Sequence, residues 1–141
     1  MSLTASEYLA HDAVALAALV QRREVTPAEL LDAALAQVEA TNPAVNAVIH
    51  RMDAAARASL ASLPDGPLRG VPFLIKDLIA AWAGQPSASG SRFMRDFVPD
   101  HDSEMVRRYR RAGLVTLGKT NTPEFGLTPF TEPAAFGVTR N

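Results

Sequence analysis

Two short apolar runs separated by a helix constrain the fold of this 141-residue chain more than any other feature. Val71–Ile75 and Leu114–Leu117 have the length of typical strands, and the first is apolar on both faces. Such a strand is buried on both sides, which is typical of a sheet covered by helices. Asp102–Glu104 favours the start of a helix between them, which ends at Gly113. This order of helices and strands predicts an α/β fold.

Residues 1–63 are expected to form a helical lead-in. Asp12 favours a helix N-terminus, and the helix that it caps is expected to end at the charged run Gln21–Glu24. Thr26–Glu29 has capping-box spacing, with proline at the first helical position. An apolar stripe follows at helical spacing, formed by Leu30, Leu31, Ala34, Leu35 and Val38.

The end of the lead-in is expected to contain one strand and a third helix. Asn42–Pro43 predicts the end of the second helix, because the residue before a proline avoids the α region. Val45–Ile49 is β-branched, which favours a strand, and Asp53 opens a helix that runs to about Leu63. Residues 64–141 are interpreted as the start of an α/β core.

Two stretches within residues 64–141 are expected to be loop, Gly84–Gly90 and the residues after Leu117. Gly84–Gly90 is rich in glycine, serine and proline, and Pro123, Pro129 and Pro133 interrupt the chain after Leu117. The final residues show neither a helix cap nor a polar tail. A sheet with strands buried on both faces needs more elements than 141 residues supply, so we expect truncation or completion by a second polypeptide.

Composition excludes several classes of function. A net charge of -1 provides no global field for drawing in nucleic acid or anionic lipid. Without cysteine, the chain has no disulfide scaffold, thiolate zinc site or cysteine nucleophile. No signal-peptide pattern is visible, and the apolar runs are far shorter than the roughly 20 residues of a membrane span. We therefore expect a cytoplasmic protein with neither a nucleic-acid nor a membrane partner.

Gly113–Thr120 matches the P-loop expression G-x-x-x-x-G-K-T. A phosphate-binding loop follows a strand and opens a helix, whereas here a helix precedes the motif and its middle residues are apolar and strand-like. Pro123 and Gly126 also disfavour a long following helix. Nucleotide binding is kept as the weakest alternative, and we expect no cofactor.

Other catalytic patterns are absent or weak. The sequence has neither a Gly-x-Ser-x-Gly elbow nor a Ser-x-x-Lys pair. His11, His50 and His101 lie far apart without a ligand partner at helical spacing, so no metal site is expected. The basic run Arg107–Arg111 is interpreted as a solvated helix face, because Glu104 lies close by.

Lys76 stands between two apolar runs and is followed directly by Asp77. Lysine is rarely buried without a partner, and Asp77 is a poor one because adjacent strand residues point to opposite faces. Snorkelling or a salt bridge is the structural explanation of Lys76. The functional explanation is a desolvated, neutral amine that acts as a general base on a hydroxyl.

Several segments resemble the amidase signature family, in the family's order. Leu68–Asp77 is similar to its G-x-P-x-x-x-K-D stretch and Gly84–Ser91 to its glycine–serine loop. Asp102–Gly113, Gly118–Phe125 and Thr131–Asn141 are also similar, the last to the region just upstream of the serine motif. The resemblance covers nearly the whole chain. It implies an amidase signature fold, incomplete in this chain, with N-terminal helices leading into a mixed β-sheet flanked by helices.

The resemblance implies hydrolysis of a non-peptide amide by a Ser–cis-Ser–Lys triad. One serine attacks the carbonyl, the second relays its proton to a neutral lysine, and backbone N–H groups hold the oxyanion. Only the lysine carries over, onto Lys76. The Gly-Gly-Ser-Ser-Gly-Gly motif and the nucleophile segment are absent from the sequence and are expected beyond Asn141. The chain alone is therefore expected to be an inactive part of an amidase.

Other residues have more ordinary expected roles. Three loop serines are candidate substitute nucleophiles, with packing preferred: Ser87, Ser89 and Ser91. Three phenylalanines are candidates for lining a substrate channel, with core packing preferred: Phe125, Phe130 and Phe136. Asp77 is expected to order the turn after Lys76.

Two departures disfavour the family branch that supplies ammonia to misacylated tRNA. That branch usually has Lys-Asp-Asn, and Met-Gly-Ser-Ser after its Glu-Phe, where this chain has Lys76–Leu78 and Glu124–Pro129. The chain looks closer to bacterial amidases of small linear or cyclic amides. Its expected partners are such an amide and the rest of the polypeptide or a complementing chain, with a homodimer as a further option. A non-catalytic scaffold or interaction fragment is the alternative.

Overall fold

The computed structural model describes residues 3–141. Its regular elements are α1 Ala5–Leu9, α2 Ala13–Gln21, α3 Pro27–Val45, β1 Val48–Arg51, α4 Asp53–Ser59, β2 Pro72–Lys76, α5 Glu104–Arg111 and β3 Val115–Thr120. Short 3₁₀ turns cover Leu60–Ser62 and Glu124–Gly126. The predicted α/β class, with N-terminal helices that lead into a sheet, is confirmed.

The three strands form one sheet in the order β1-β3-β2. β1 and β3 are antiparallel, with Val48 opposite Thr120 and Arg51 opposite Gly118. A Cβ atom on Gly118 would lie 2.7 Å from the His50 carbonyl oxygen, so glycine permits the close approach of β1 at this point.

β2 lies on the other side of β3. The Val115 N–H donates to the Val71 carbonyl over 2.8 Å, and the Asp77 N–H donates to the Thr120 carbonyl over 3.0 Å. From the first bond to the second, residue numbers increase along both strands, so β2 and β3 are parallel. The sheet is therefore mixed. β3 is buried along almost its whole length, as expected for its central position.

Two compact units divide the chain, and each combines segments that are distant in sequence. The first contains the described residues up to Ala40, with Met52–Phe73 and Arg108–Leu117. The second contains Thr41–Arg51, Leu74–Arg107 and Gly118–Asn141.

The first unit has an apolar core between helices and the starts of strands. Its buried members are Leu16, Leu19, Val20, Val25, Leu30, Val71 and Leu114. All five residues of the predicted stripe on α3 are buried, which confirms that interpretation. Burial of a leucine side chain stabilises a fold by about 1.5–3 kcal/mol, so this core holds the lead-in helices in place.

The predicted caps of α2 and α3 are confirmed. Asp12 accepts a 2.8 Å hydrogen bond from the Ala15 N–H at the start of α2. At the start of α3, the Glu29 N–H donates to Thr26 Oγ1 over 3.2 Å, and the Thr26 N–H donates back to the Glu29 carboxylate over 2.8 Å. These bonds satisfy N–H groups that have no partner inside the helix.

The prediction that α3 ends at Asn42–Pro43 is wrong, because α3 continues through Pro43. The proline removes one helical hydrogen bond, but the Asn46 N–H still donates to the Asn42 carbonyl over 2.7 Å. The Asn42 side-chain oxygen then accepts the N–H groups of Ala47 and Val48. Asn46 has a φ of 51°, a left-handed conformation that asparagine tolerates at a helix end.

Other element boundaries also differ from the predictions. The extension of α3 shifts the strand expected at Val45–Ile49 to β1 at Val48–Arg51. The helix expected to reach Leu63 ends at Ser59 and tightens into a 3₁₀ turn. α1 was not predicted from the sequence, although Thr4 and Glu7 form a capping box at its start.

We predict that Thr26→Ala lowers the free energy of unfolding of the chain by about 1 kcal/mol, because the helix that carries the buried stripe loses its cap. Thr4→Ala is the matched control, since it breaks the same kind of box on a helix with no buried residue. Its effect is expected to stay below about 0.5 kcal/mol. Urea unfolding measures both, and equal losses would contradict this account.

Candidate active site

Lys76 and Asp77 lie where β2 ends, and their side chains differ sharply in exposure. Lys76 is exposed, whereas Asp77 is 2% exposed. The Asp77 N–H still pairs with β3, so the two side chains follow the alternation of a strand and take opposite faces. The expectation that Lys76 is buried within this chain is wrong, because β2 is an edge strand of the described sheet and is only partly covered.

Asp77 instead faces the second of the chain's two lysines. Lys119 has no exposed surface, and its Nζ lies 3.8 Å from Asp77 Oδ1. The same Nζ donates to the Pro86 carbonyl over 2.5 Å. Sequence reasoning missed this pair because Lys119 was considered only within the P-loop expression. The available signal was a lysine in a strand predicted to be buried, together with an aspartate that directly follows another predicted strand.

Burial shifts the pKa of each partner in the direction that favours its neutral form. Desolvation raises the pKa of Asp77, and the nearby Lys119 ammonium and Ala88 N–H offset only part of this effect. Desolvation likewise lowers the pKa of Lys119, against the opposing influence of Asp77. Burying the charged pair therefore costs free energy, and the attraction that offsets this cost depends on the distance and orientation of the two groups.

The glycine–serine loop Gly84–Gly90 packs against this pair. The Ala88 N–H donates to Asp77 Oδ1 over 3.2 Å, and Ser87 and Ala88 are both buried. Gly90 has a φ of 68°, and a Cβ atom there would lie 2.6 Å from the Thr122 carbonyl oxygen. Only glycine fits this close approach without displacing backbone.

None of the three loop serines is exposed. Ser91 is 1% exposed, and its hydroxyl donates to Glu124 Oε1 over 2.6 Å. The same hydroxyl oxygen accepts the Phe93 N–H over 3.2 Å. Ser87 is buried and Ser89 is partly buried.

Besides Asn46 at the end of α3, three residues other than glycine hold left-handed backbone conformations in the second unit. Their φ angles are 55° at Ile79, 52° at Ser89 and 51° at Phe125. The Phe125 N–H donates to the Ser89 carbonyl over 2.8 Å, which links two of the strained positions. Such strain persists only where surrounding contacts enforce it, and it is concentrated at functional sites.

The preferred core role of the phenylalanines is wrong for two of them. Phe125 is 45% exposed and Phe130 is 58% exposed, while Phe136 is partly buried. Leu127 and Ile79 are also exposed, at 80% each. The second unit therefore presents several large apolar side chains on its surface.

Two asparagines hold the C-terminal segment of the second unit. Asn46 Nδ2 donates to the carbonyls of Phe136 and Val138, over 2.9 and 3.1 Å. Asn121 Nδ2 donates to the Gly137 carbonyl and to Thr139 Oγ1, over 3.1 and 3.0 Å. The segment that resembles the approach to the family's serine motif is thus fixed by side-chain hydrogen bonds.

The remaining candidates from the sequence do not form a site. Gly118, Lys119 and Thr120 lie within β3, so the prediction that they do not form a phosphate loop is confirmed. His50 Nε2 lies 2.9 Å from Gln85 Oε1, and His101 contacts the neighbouring Asp100. Among residues 3–141, no three potential metal ligands cluster together.

The basic run of α5 is exposed at its four arginines, as predicted for a solvated helix face. Arg107 Nε pairs with Glu104 over 3.0 Å. In the part of the chain that the structure describes, no helix has both the length and the apolarity to cross a membrane.

We predict that amine acetylation separates the two lysines of the folded chain. Lys76 is expected to react readily because it is exposed, and Lys119 is expected to react only after unfolding in guanidinium. Mass spectrometry of a digest after limiting treatment measures both sites, with the unfolded chain as the control in which they react alike. Equal labelling of the folded chain would refute the assigned burial.

Comparisons with known proteins agree on one family. A family model described as Amidase matches residues 29–141. The 6-aminohexanoate-cyclic-dimer hydrolase of Paenarthrobacter ureafaciens is 46% identical over 132 residues, which are 92% of this chain and 27% of the hydrolase. One subunit of the glutamyl-tRNA(Gln) amidotransferase of Acidothermus cellulolyticus is 41% identical over 145 residues, which cover 96% of this chain and 28% of that protein.

Solved structures show the same relationship. A 6-aminohexanoate cyclic dimer hydrolase complexed with substrate matches with a TM-score of 0.89 and 45% identity, over 93% of this chain and 27% of that chain. A bacterial aryl acylamidase of the amidase signature family matches with a TM-score of 0.86 and 32% identity, over 93% and 29%. The chain thus spans about 27% of the length of the hydrolases it matches. By sequence and by fold, it belongs to the amidase signature family.

Proposed function

We propose that this chain is the N-terminal, lysine-bearing part of an amide hydrolase in which Lys76 is the general base. The observation that carries the proposal is the placement of Lys76. It is the lysine of the G-x-P-x-x-x-K-D stretch Gly70–Asp77. It projects an exposed amine from the last residue of β2, within the region that the family match covers.

In the proposed mechanism, a serine Oγ attacks the amide carbonyl and forms the C–O bond of an acyl-enzyme. A second serine takes the proton of the nucleophile and passes its own to the neutral Lys76 amine. The resulting ammonium returns the proton to the departing nitrogen as the C–N bond breaks. Water then hydrolyses the acyl-enzyme with Lys76 again as the base.

Both serines are supplied, in this proposal, by polypeptide beyond the 141 residues, because the family's serine motif has no counterpart in this sequence. Residues 1–141 then form the N-terminal part of one amidase domain. The exposed apolar side chains of Phe125, Leu127 and Phe130 contact the remainder of that domain. In this proposal, the remainder of the domain also covers Lys76, and this desolvation favours the neutral amine that the reaction requires.

We propose a small linear or cyclic amide as the substrate. The similarity to cyclic dimer hydrolases and to an aryl acylamidase supports this class. Leu78, which follows Lys76–Asp77 where the amidotransferase branch has asparagine, adds a second argument from the sequence.

We predict that Lys76→Ala lowers kcat/KM of the complete protein on a small amide by about 10³-fold, because the reaction loses its general base. The thermal unfolding midpoint is measured beside it, so that a loss of rate can be separated from a loss of fold. Arg22→Ala, which removes an exposed cation in the first unit, serves as the control and should retain full activity. Full activity of Lys76→Ala would refute the proposed role.

Chemical rescue separates the amine from a structural effect. Lys76→Cys, alkylated with 2-bromoethylamine while the protein is unfolded and then refolded, rebuilds an amine of nearly the same length in a segment that has no native cysteine. Activity should return after alkylation of this variant and should not return in Lys76→Ala treated in the same way. A non-catalytic scaffold would instead show no amide hydrolysis in any of these proteins.

A further inference from the structure

We propose that the buried Lys119–Asp77 pair is a positioning device that sets the direction of Lys76 and the shape of the glycine–serine loop. The proposal rests on the catalytic role proposed for Lys76. In it, neither member of the pair touches the substrate, and both act through the backbone segments that they join.

Three segments meet at this pair. Lys119 comes from the central strand β3, and Asp77 from the residue directly after β2. The loop contributes the Pro86 carbonyl, which accepts from Lys119 Nζ over 2.5 Å, and the Ala88 N–H, which donates to Asp77 over 3.2 Å. One ion pair therefore sets the position of the loop relative to the end of β2.

The pair has the features of a specificity device rather than of a stabilising one. Lys119 is completely buried, and Asp77 Oδ2 is buried without a hydrogen-bond partner among residues 3–141. A buried ion pair recovers its desolvation cost only when its geometry is good and its remaining polar atoms are satisfied. Apolar residues at both positions would fill the same space without a desolvated charge, but they could not fix the loop through polar atoms.

The direction of Lys76 follows from that of its neighbour. Asp77 is held by its N–H to the Thr120 carbonyl and by its carboxylate to Lys119 and Ala88. Because successive strand residues point to opposite faces, fixing Asp77 inward turns Lys76 outward. The left-handed turn at Ile79 follows two residues later, so the pair also holds the strand end against local strain.

The test compares variants of the complete protein in kcat, KM and thermal unfolding midpoint. Lys119→Met with Asp77→Leu removes both charges together and leaves no buried ion unpaired. Asp32→Asn with Arg57→Met is the matched control, because it removes an exposed ion pair of 2.7 Å in the first unit. Lys76→Ala is measured alongside them.

We expect the Lys119→Met, Asp77→Leu protein to fold with a midpoint near that of the wild type and to lose about 100-fold in kcat with KM changed less than threefold, as misplacement of a catalytic group predicts. A merely structural pair would lose kcat only in proportion to unfolding. A folded double variant with kcat within threefold of the wild type would overturn the proposal.

Asp77→Asn keeps the test decisive if the double variant fails to fold. It preserves the side-chain shape and an acceptor for the Ala88 N–H, and it removes only the charge opposite Lys119. We expect a drop of about tenfold in kcat at constant KM, and an unchanged kcat would overturn the proposal. Full activity of Lys76→Ala would refute the proposed function as well. An inactive Lys76→Ala together with a fully active pair variant would refute only the positioning role.

Discussion

An ammonium group with no exposed surface lies 3.8 Å from a carboxylate that is itself almost wholly buried. Lys119 and Asp77 can occupy these places only because the Pro86 carbonyl and the Ala88 N–H satisfy part of their polar atoms. The arrangement therefore constrains the central strand, the end of its parallel neighbour and the loop that follows. In the proposed positioning role, this constraint also gives Lys76 its outward direction.

The helices of the first unit could be predicted because their signals are local. The bonds between Thr26 and Glu29 join residues within one turn. The apolar residues of α3 recur at helical spacing, so the sequence itself indicates which face is buried. Prediction failed where a side chain compensated for a local rule. α3 passes through Pro43 because Asn42 satisfies the N–H groups that follow the helix.

The site was predictable in part. The motif around Lys76 could be recognised from the sequence, because it is made of adjacent residues. The ordering of the following turn by Asp77 stays a prediction. The partner of Asp77 could not be recognised, because Lys119 is far away in sequence and is brought near only by the pairing of β2 with β3. The exposure of Lys76 depends on which segments pack over β2, an edge strand, and the sequence of β2 does not specify them.

The most direct test of the account is a crystal structure of the complete protein, read at Lys76 Nζ. If Lys76 is the general base, a serine hydroxyl from outside residues 1–141 should lie about 2.6–3.2 Å from this nitrogen. The covering polypeptide should also have removed Lys76 from solvent. A Lys76 amine that is still exposed, with no hydroxyl within hydrogen-bond reach, would contradict the account.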